Sequence, residues 1–262
     1  MGYFIAITGK GGTGKTTLAA LLVRSLIKRG CRPVLAVDAD PNSGLDTVLG
    51  VTVRKTLGRA REETRDMASR GMAVGVSKQQ VLKMKIAECL VEADDFDLLA
   101  MGRPEGPGCY CYANNVLKDI LAEMASQYPY VVLDNEAGLE NLSRRIVRDV
   151  DLLVFTADPS RQGLTTVHRL YELAKEMDIR YKKLAVIINR LVGEPDSSYL
   201  EELRKQTAAD WAIGLPEDGE IAALAREDGG LRAISADNPV AKRLDQLLEF
   251  AGIPGSHGGA SP

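Results

Sequence analysis

The residues best suited to chemistry form a short glycine-rich stretch near the start of the chain. Residues 9–17 read Gly-Lys-Gly-Gly-Thr-Gly-Lys-Thr-Thr and fit the pattern G-x-x-x-x-G-K-S/T. In this pattern backbone N–H groups converge on phosphate oxygens, the lysine adds positive charge, and the following hydroxyl binds Mg²⁺. The predicted nucleotide contacts are Gly9, Gly11, Gly12, Thr13, Gly14, Lys15, Thr16 and Thr17.

Aspartates at the ends of apolar runs supply the second part of such a site. Asp38 and Asp40 close one apolar run, and Asp134 closes another. Phosphoryl transfer needs Mg²⁺ on the phosphate oxygens and a positioned water. We expect Asp38 to reach the Mg²⁺ shell of Thr16, Asp134 to bind Mg²⁺ through water, and Asp40 to orient the attacking water.

Cys109 and Cys111 form a third candidate site, in a loop rich in glycine and proline at 102–112. Two thiolates are soft ligands, but they fill only half of a Zn²⁺ or Ni²⁺ shell. Because the chain has only two histidines, the simplest completion is the same pair from a second subunit. A tetrahedral S₄ shell suits Zn²⁺ and a square-planar one suits Ni²⁺, so the metal stays open. The pair could also be incidental or a redox pair.

These residues must be positioned by alternating strands and helices. Apolar runs uniform enough for a sheet covered on both faces predict strands at 3–8, 33–38, 96–101, 130–134, 152–156 and 184–189. Helical spacing predicts helices at 15–29, 77–92, 114–126, 162–177, 199–208 and 239–250. This order predicts a single-domain α/β P-loop NTPase with an open, mostly parallel sheet, helices on both faces and ligands at the carboxyl ends of strands.

The domain is expected to span residues 1–252, with a disordered tail at 253–262 that is rich in glycine and serine. Residues 49–71 carry many charges and no clean period, which indicates an exposed excursion.

Composition excludes several classes of protein. The 262 residues carry a net charge of −3, so no global basic field indicates a nucleic-acid partner. No leader pattern and no apolar run near the ~18 residues of a membrane span are visible, so a cytoplasmic protein is expected. Four cysteines do not make a disulfide framework in a chain of this length.

The lysine at position 10, with Asp38 and Asp40 after the second strand, resembles the deviant Walker A ATPases, which include MinD, ParA, ArsA and the nitrogenase iron protein. The resemblance implies slow, Mg²⁺-dependent ATP hydrolysis in a homodimer, with Lys10, Lys15 and Asp40 as catalytic residues. Lys10 would reach the partner's phosphates. It also implies nucleotide-responsive segments at 38–46 and 134–140. Asn189 would read adenine, and the chain after Pro216 would close over the base.

The loop at 102–111, together with Asp-Asn-Glu-Ala-Gly at 134–138, resembles the CooC-type accessory ATPases. The resemblance extends to about residue 252. It implies a metallochaperone that inserts nickel into carbon monoxide dehydrogenase, or a relative that serves acetyl-CoA synthase. It also implies a metal shared by Cys109 and Cys111 across a dimer.

Other readings compete with this one. An iron-protein-like reductase needs one cysteine in each of two separated loops, and Ala137 stands where the second is expected. A MinD-like ATPase would carry a basic amphipathic helix at its C-terminus, and a ParA-like one a basic stripe. Neither pattern is visible, so we expect no membrane or nucleic-acid partner. A partitioning or regulatory ATPase and a non-enzymatic metal-binding module remain the alternatives.

Overall fold

The computed structural model describes residues 2–42, 44–69, 78–102, 122–139, 149–193, 197–225 and 230–255. In this part of the chain the strands form one sheet in the order β3-β4-β2-β5-β1-β6-β7-β8. The strands are β1 (Tyr3–Gly9), β2 (Val34–Asp38), β3 (Val91–Glu92), β4 (Phe96–Ala100), β5 (Tyr130–Asp134), β6 (Asp149–Ala157), β7 (Arg180–Leu191) and β8 (Trp211–Pro216).

All neighbouring strands pair in parallel except β3, which runs antiparallel at the edge beside β4. Strand β1 lies between β5 and β6, so the chain that follows Gly9 leaves from the middle of the sheet. The carboxyl ends of β2 and β5 meet there, because Asp38 and Asp134 are paired in register.

Helices cover both faces of the sheet. They are α1 (Lys15–Lys28), α2 (Leu45–Leu49), α3 (Leu57–Ser69), α4 (Lys78–Ala87), α5 (Arg161–Glu176), α6 (Ser197–Thr207), α7 (Gly219–Leu224) and α8 (Pro239–Ala251), with a 3₁₀ turn at Gly230–Ala233. Alternate strand residues enter two separate cores: Ile5 and Ile7 pack under α1 and α8, whereas Phe4 and Ala6 pack under α3 to α6. The predicted fold class is confirmed.

Several elements differ from the expectation. The charged excursion at 49–71 contains α3, which buries Leu57 and Ala60 at its first turn. Because only these two apolar residues are buried in such a charged segment, the sequence shows little helical periodicity there. The helix expected at 77–92 ends at Ala87, and Val91–Glu92 forms the edge strand β3. Strand β8 was missed, because Gly214 and Pro216 interrupt its apolar pattern.

Other expectations fall wholly or partly outside the described residues. They include Cys109 and Cys111, most of the helix at 114–126, residues 43 and 140 of the two nucleotide-responsive segments, residues 70–71 and 77, and the tail from 256 onward. Packing continues past residue 252: Ile253 is buried, and its N–H donates to the Leu248 carbonyl at 2.9 Å. Among the helices described, none combines the length and the apolar character that crossing a membrane would require.

Candidate nucleotide site

The glycine-rich loop joins β1 to α1 in a conformation that requires its glycines. Gly12 has φ of 82° and Gly14 has φ of 90°, a region that side chains with a Cβ rarely enter. The Thr13 hydroxyl donates to the Lys10 carbonyl at 2.8 Å and closes the loop into a ring. As described, the first turn of α1 has no acidic residue and no side-chain cap. Its N–H groups and positive dipole end are therefore available to an anion.

The loop is tight against the sheet on one side and open on the other. A Cβ on Gly9 would lie 2.2 Å from the Thr156 carbonyl oxygen, whereas one on Gly11 or Gly12 would meet nothing within 4 Å. The open side faces a cavity of about 530 Å³. That cavity is lined by Gly11, Gly12, Gly14, Lys15, Thr16, Asp40, Pro41, Asn42, Glu136, Ala137 and Arg190. It has room for a chain of phosphates and a metal ion.

Lys15 is placed for phosphate binding. Its side chain is buried, with 7% of the residue exposed. Its Nζ donates to the Lys10 carbonyl at 3.3 Å within the loop ring. Binding a phosphate thus requires the ammonium to exchange one carbonyl contact for phosphate oxygens, without moving to another part of the structure.

Lys10 is directed elsewhere. Its Nζ donates to Gln162 Oε1 at 3.1 Å, in the first turn of α5. Its charge also helps to lower the pKa of Asp158, an effect that comes chiefly from the Ser160 hydroxyl. Lys10 is not among the described residues that line the cavity of its own chain. This placement is compatible with a role at a partner's phosphates, which stays a prediction.

Asp134 is the strongest Mg²⁺ candidate. It is 1% exposed, and neither of its carboxylate oxygens has a hydrogen bond of good geometry to a described residue. Burial raises its pKa to about 7, and the charges of Asp38 and Asp40 add to this rise. The Thr16 hydroxyl and the Lys15 ammonium act in the opposite direction. A buried carboxylate with no well-placed hydrogen bond to a described residue, beside the Thr16 hydroxyl, is an oxygen donor set that suits Mg²⁺.

The oxygens of Asp38 are engaged by its own loop. Oδ1 accepts the backbone N–H of Asp40 at 3.1 Å, and Oδ2 accepts those of Gly44 and Leu45 at 2.9 and 3.1 Å. Burial raises the pKa of Asp38, and these three bonds lower it. In this structure Asp38 therefore shapes the segment that carries Asp40. Direct or water-mediated Mg²⁺ binding by Asp38 stays a prediction.

Asp40 lies on the cavity wall that faces the glycine-rich loop. Its Oδ1 accepts from the backbone N–H and the side-chain amide of Asn42, at 2.8 and 3.2 Å. Glu136, two residues after the end of the neighbouring strand β5, lines the same wall. A carboxylate in this position is suited to orienting a water, and that role for Asp40 also stays a prediction.

Asn189 and Pro216 were expected around the base. Asn189 instead contacts the loop, because its Nδ2 donates to the Thr13 carbonyl at 2.9 Å. Pro216 ends β8 opposite Leu191, and the Glu217 N–H donates to the Leu191 carbonyl at 2.9 Å. Adenine recognition by these residues is untested.

Sequence reasoning missed Arg190. Its Nη1 donates to the Gly12 carbonyl at 3.2 Å, and its side chain lines the cavity. The available signal was its position directly after Asn189 at the end of an apolar strand. Asn42 and Pro41, also on the cavity wall, could be identified only through their place in the segment at 38–46.

Six of the predicted nucleotide-site residues, Gly11, Gly12, Gly14, Lys15, Thr16 and Asp40, line one cavity, and comparison with known proteins decides the family. Residues 4–229 match the family model described as the CobQ/CobB/MinD/ParA nucleotide binding domain. The chain belongs to this family. It is therefore a nucleotide-binding P-loop ATPase of the MinD/ParA type.

Three similar proteins illustrate the range of this family. An uncharacterized ATP-binding protein of Methanocaldococcus jannaschii is 40% identical over 246 residues, which cover 94% of this chain and 96% of that protein. The carbon monoxide dehydrogenase accessory protein CooC of Rhodospirillum rubrum is 31% identical over 235 residues, which cover 84% of this chain and 85% of that protein. The crystal structure of a ParA family ATPase from Chlorobium tepidum matches with a TM-score of 0.69 at 19% identity, covering 95% of this chain and 98% of that one.

The metal site expected at Cys109 and Cys111 lies outside the described residues. Within the described residues, no group of three or more histidine, cysteine, aspartate or glutamate side chains is placed to bind a metal. The other two cysteines are buried as free thiols. Burial raises the pKa of Cys89 to about 11, which makes it a poor metal ligand.

Proposed function

We propose that this ATPase delivers nickel to the active-site cluster of carbon monoxide dehydrogenase or acetyl-CoA synthase. In this proposal it works as a nucleotide-dependent homodimer that binds Ni²⁺ or Zn²⁺ at a site shared between Cys109 and Cys111 of both subunits. The observation that carries the proposal is the 31% identity to CooC over most of both chains, together with two cysteines at Cys-x-Cys spacing in one loop. Four thiolates from two copies would complete the metal shell.

The root of the cysteine loop supports a link between ATP and metal. Strand β4, which leads into the loop, pairs with β2. At its end the Met101 N–H donates to the Asp38 carbonyl at 2.8 Å. The Asp38 side chain shapes the segment that carries Asp40. A movement of Asp40 on nucleotide binding can therefore be transmitted through Asp38 to Met101, the residue at which the chain enters the cysteine loop.

The far side of the loop root is braced by the region before α3. A Cβ on Gly102 would lie 2.4 Å from the Thr56 hydroxyl, so only glycine fits against Thr56 there. The Gly58 N–H donates to the Met101 carbonyl at 2.9 Å. The Cys89 thiol lies 3.4 Å from the Thr56 carbonyl and 3.2 Å from the Lys85 carbonyl, and its single S–H can donate to one of them. These contacts hold Met101 and Gly102, the residues that lead into the cysteine loop, against the chain at the start of α3.

Each residue of the nucleotide site has one role in the proposed hydrolytic step. Lys15 and the loop N–H groups bind the phosphates, while Thr16 and Asp134 would hold Mg²⁺, which neutralises phosphate charge. Asp40 orients the water. Lys10 from the partner adds positive charge at the phosphates, so hydrolysis would depend on dimer formation.

Activation of nickel-free carbon monoxide dehydrogenase tests the proposal. The client enzyme is incubated with limiting Ni²⁺ and ATP, with or without this protein, and its activity is followed. We expect activation by wild type and by Cys31→Ser, the same exchange at a buried cysteine in the turn between α1 and β2. We expect none with Cys109→Ser, Cys111→Ser or Asp40→Ala. Activation by both loop variants equal to wild type would refute metal delivery through this site.

A MinD-like or ParA-like role is the second candidate. It is favoured by the MinD of Thermotoga maritima, which is 27% identical over 268 residues that cover 97% of this chain and 90% of that protein. ATP-dependent sedimentation with liposomes or binding to DNA, in place of client activation, would favour that role. A chain that binds metal but hydrolyses no ATP would be a non-enzymatic module.

A further inference from the structure

Strand β7 is irregular where it reaches the glycine-rich loop. It pairs with β8 through Ile188 opposite Gly214 and then Leu191 opposite Pro216. Strand β7 therefore has one residue more than β8 between these pairs, which is a β-bulge. Arg190, inside the bulge, has φ of 61°. Bulges beside sites redirect side chains, and a left-handed φ at a residue other than glycine persists where its surroundings enforce it.

Both residues of the bulge bind a carbonyl of the loop. Asn189 Nδ2 donates to the Thr13 carbonyl at 2.9 Å, and Arg190 Nη1 donates to the Gly12 carbonyl at 3.2 Å. The Asn189 carboxamide oxygen accepts the backbone N–H of Arg190 at 3.0 Å. This third bond orients the carboxamide, so that its NH₂ group points at the loop. Two consecutive side chains thus fix two consecutive peptide groups.

When the carbonyl groups of Gly12 and Thr13 are held in place, the N–H groups of the residues that follow them are held in place too. In a trans peptide the C=O of one residue and the N–H of the next point in opposite directions. When the Thr13 carbonyl faces the Asn189 amide, the Gly14 N–H points away from that amide. Contact is close, because a Cβ on Gly14 would lie 2.5 Å from Asn189 Nδ2. Backbone N–H groups are what such a loop offers to phosphate.

We infer that Asn189 and Arg190 are positioning residues that hold the loop in its phosphate-binding shape before a nucleotide arrives. One N–H of the Asn189 amide is engaged by the Thr13 carbonyl, and the amide oxygen accepts from Arg190. The bulge then acts on the phosphates through the loop, whatever base the nucleotide carries. This role belongs to nucleotide binding and is independent of metal delivery.

Binding of ATP and of inorganic tripolyphosphate, which has no base, separates loop positioning from adenine recognition. With Mg²⁺ present, Asn189→Ala and Arg190→Ala should each lower the affinity for ATP and the affinity for tripolyphosphate by the same factor. This factor should be about 5–10-fold for one lost hydrogen bond to the loop. Arg190→Lys, which keeps a donor, should recover part of the loss. The control is Arg180→Ala at the other end of β7, where the guanidinium faces solvent and Asp149. It should bind both ligands like wild type.

Hydrogen exchange of the loop at 9–17 supplies a second readout without ligand. Both alanine variants should exchange faster there than wild type, while their melting temperatures stay close to it. If Asn189→Ala binds tripolyphosphate as wild type does but loses ATP affinity, Asn189 reads the base and the inference is wrong. Because Arg190 is exposed, Arg190→Ala carries the test should Asn189→Ala fail to fold. Unchanged affinity and loop exchange in Arg190→Ala would overturn the role of the bulge.

Discussion

Replacing Asp134 by asparagine should stabilise the nucleotide-free protein while removing its Mg²⁺ site. The carboxylate is buried without a well-placed partner among the described residues. Its pKa is raised from 3.8 to about 7, which corresponds to a cost of about 4 kcal/mol at most for the ionised form in the folded state. Asparagine removes the charge but keeps a polar amide. We therefore expect a net gain of about 1–3 kcal/mol in the free energy of unfolding.

The gain should depend on pH. Between about pH 4 and pH 7 the unfolded carboxyl loses its proton while the folded one keeps it. The unfolded state then binds fewer protons, so the stability contributed by Asp134 falls as pH rises through this window and is constant above it. The advantage of Asp134→Asn over wild type should accordingly grow from about pH 4 to about pH 7 and then level off.

Thermal unfolding in EDTA measures this effect, at about 2–4 °C for each kcal/mol in a chain of this size. Asp149→Asn is the matched control, because that aspartate is exposed at the start of β6 and should shift stability by about 0.5 kcal/mol at most. With MgATP the order should reverse, since binding stabilises wild type by mass action. An Asp134→Asn protein that is no more stable at pH 8, or that gains as much from MgATP as wild type, would refute the reasoning.

Three further substitutions test the nucleotide site. Lys15→Ala removes the buried ammonium that contacts the Lys10 carbonyl and should cripple ATP binding in isothermal titration; wild-type affinity would contradict the phosphate-loop assignment. Asp40→Ala should bind ATP but hydrolyse it at least about 100-fold more slowly, and sedimentation should show it accumulating as an ATP-bound dimer. Lys10→Ala should weaken that dimer, and wild-type ATP-driven dimerisation would remove the role of Lys10 at the partner's phosphates.

The sequence predicted the parts of this fold that depend on local pattern. The spacing in residues 9–17 located the phosphate loop, and uniformly apolar runs located the strands whose ends carry Asp38 and Asp134. Parallel strands covered on both faces produce such runs. The sheet, and the edge at which these two aspartates lie, could therefore be predicted. Strand β8 was not predicted, because a glycine and a proline interrupt its short apolar run.

Contacts between distant segments could not be predicted. The Asn189 side chain bonds to a carbonyl 176 positions away in the chain, and no periodicity encodes that pairing. The Asp38 carboxylate accepts three backbone N–H groups of its own loop. These bonds depend on loop geometry that the residue types do not specify, and the expected role of Asp38 at Mg²⁺ stays a prediction.

The number of metal ions bound per dimer tests metal delivery most directly. Elemental analysis and sedimentation are combined on wild type, Cys109→Ser and Cys111→Ser after loading with Ni²⁺ or Zn²⁺, with and without a non-hydrolysable ATP analogue. We predict one metal per wild-type dimer, loss of metal in both variants, and a monomer–dimer balance that bound metal shifts. One metal per wild-type monomer, or undiminished metal in both serine variants, would contradict the shared site.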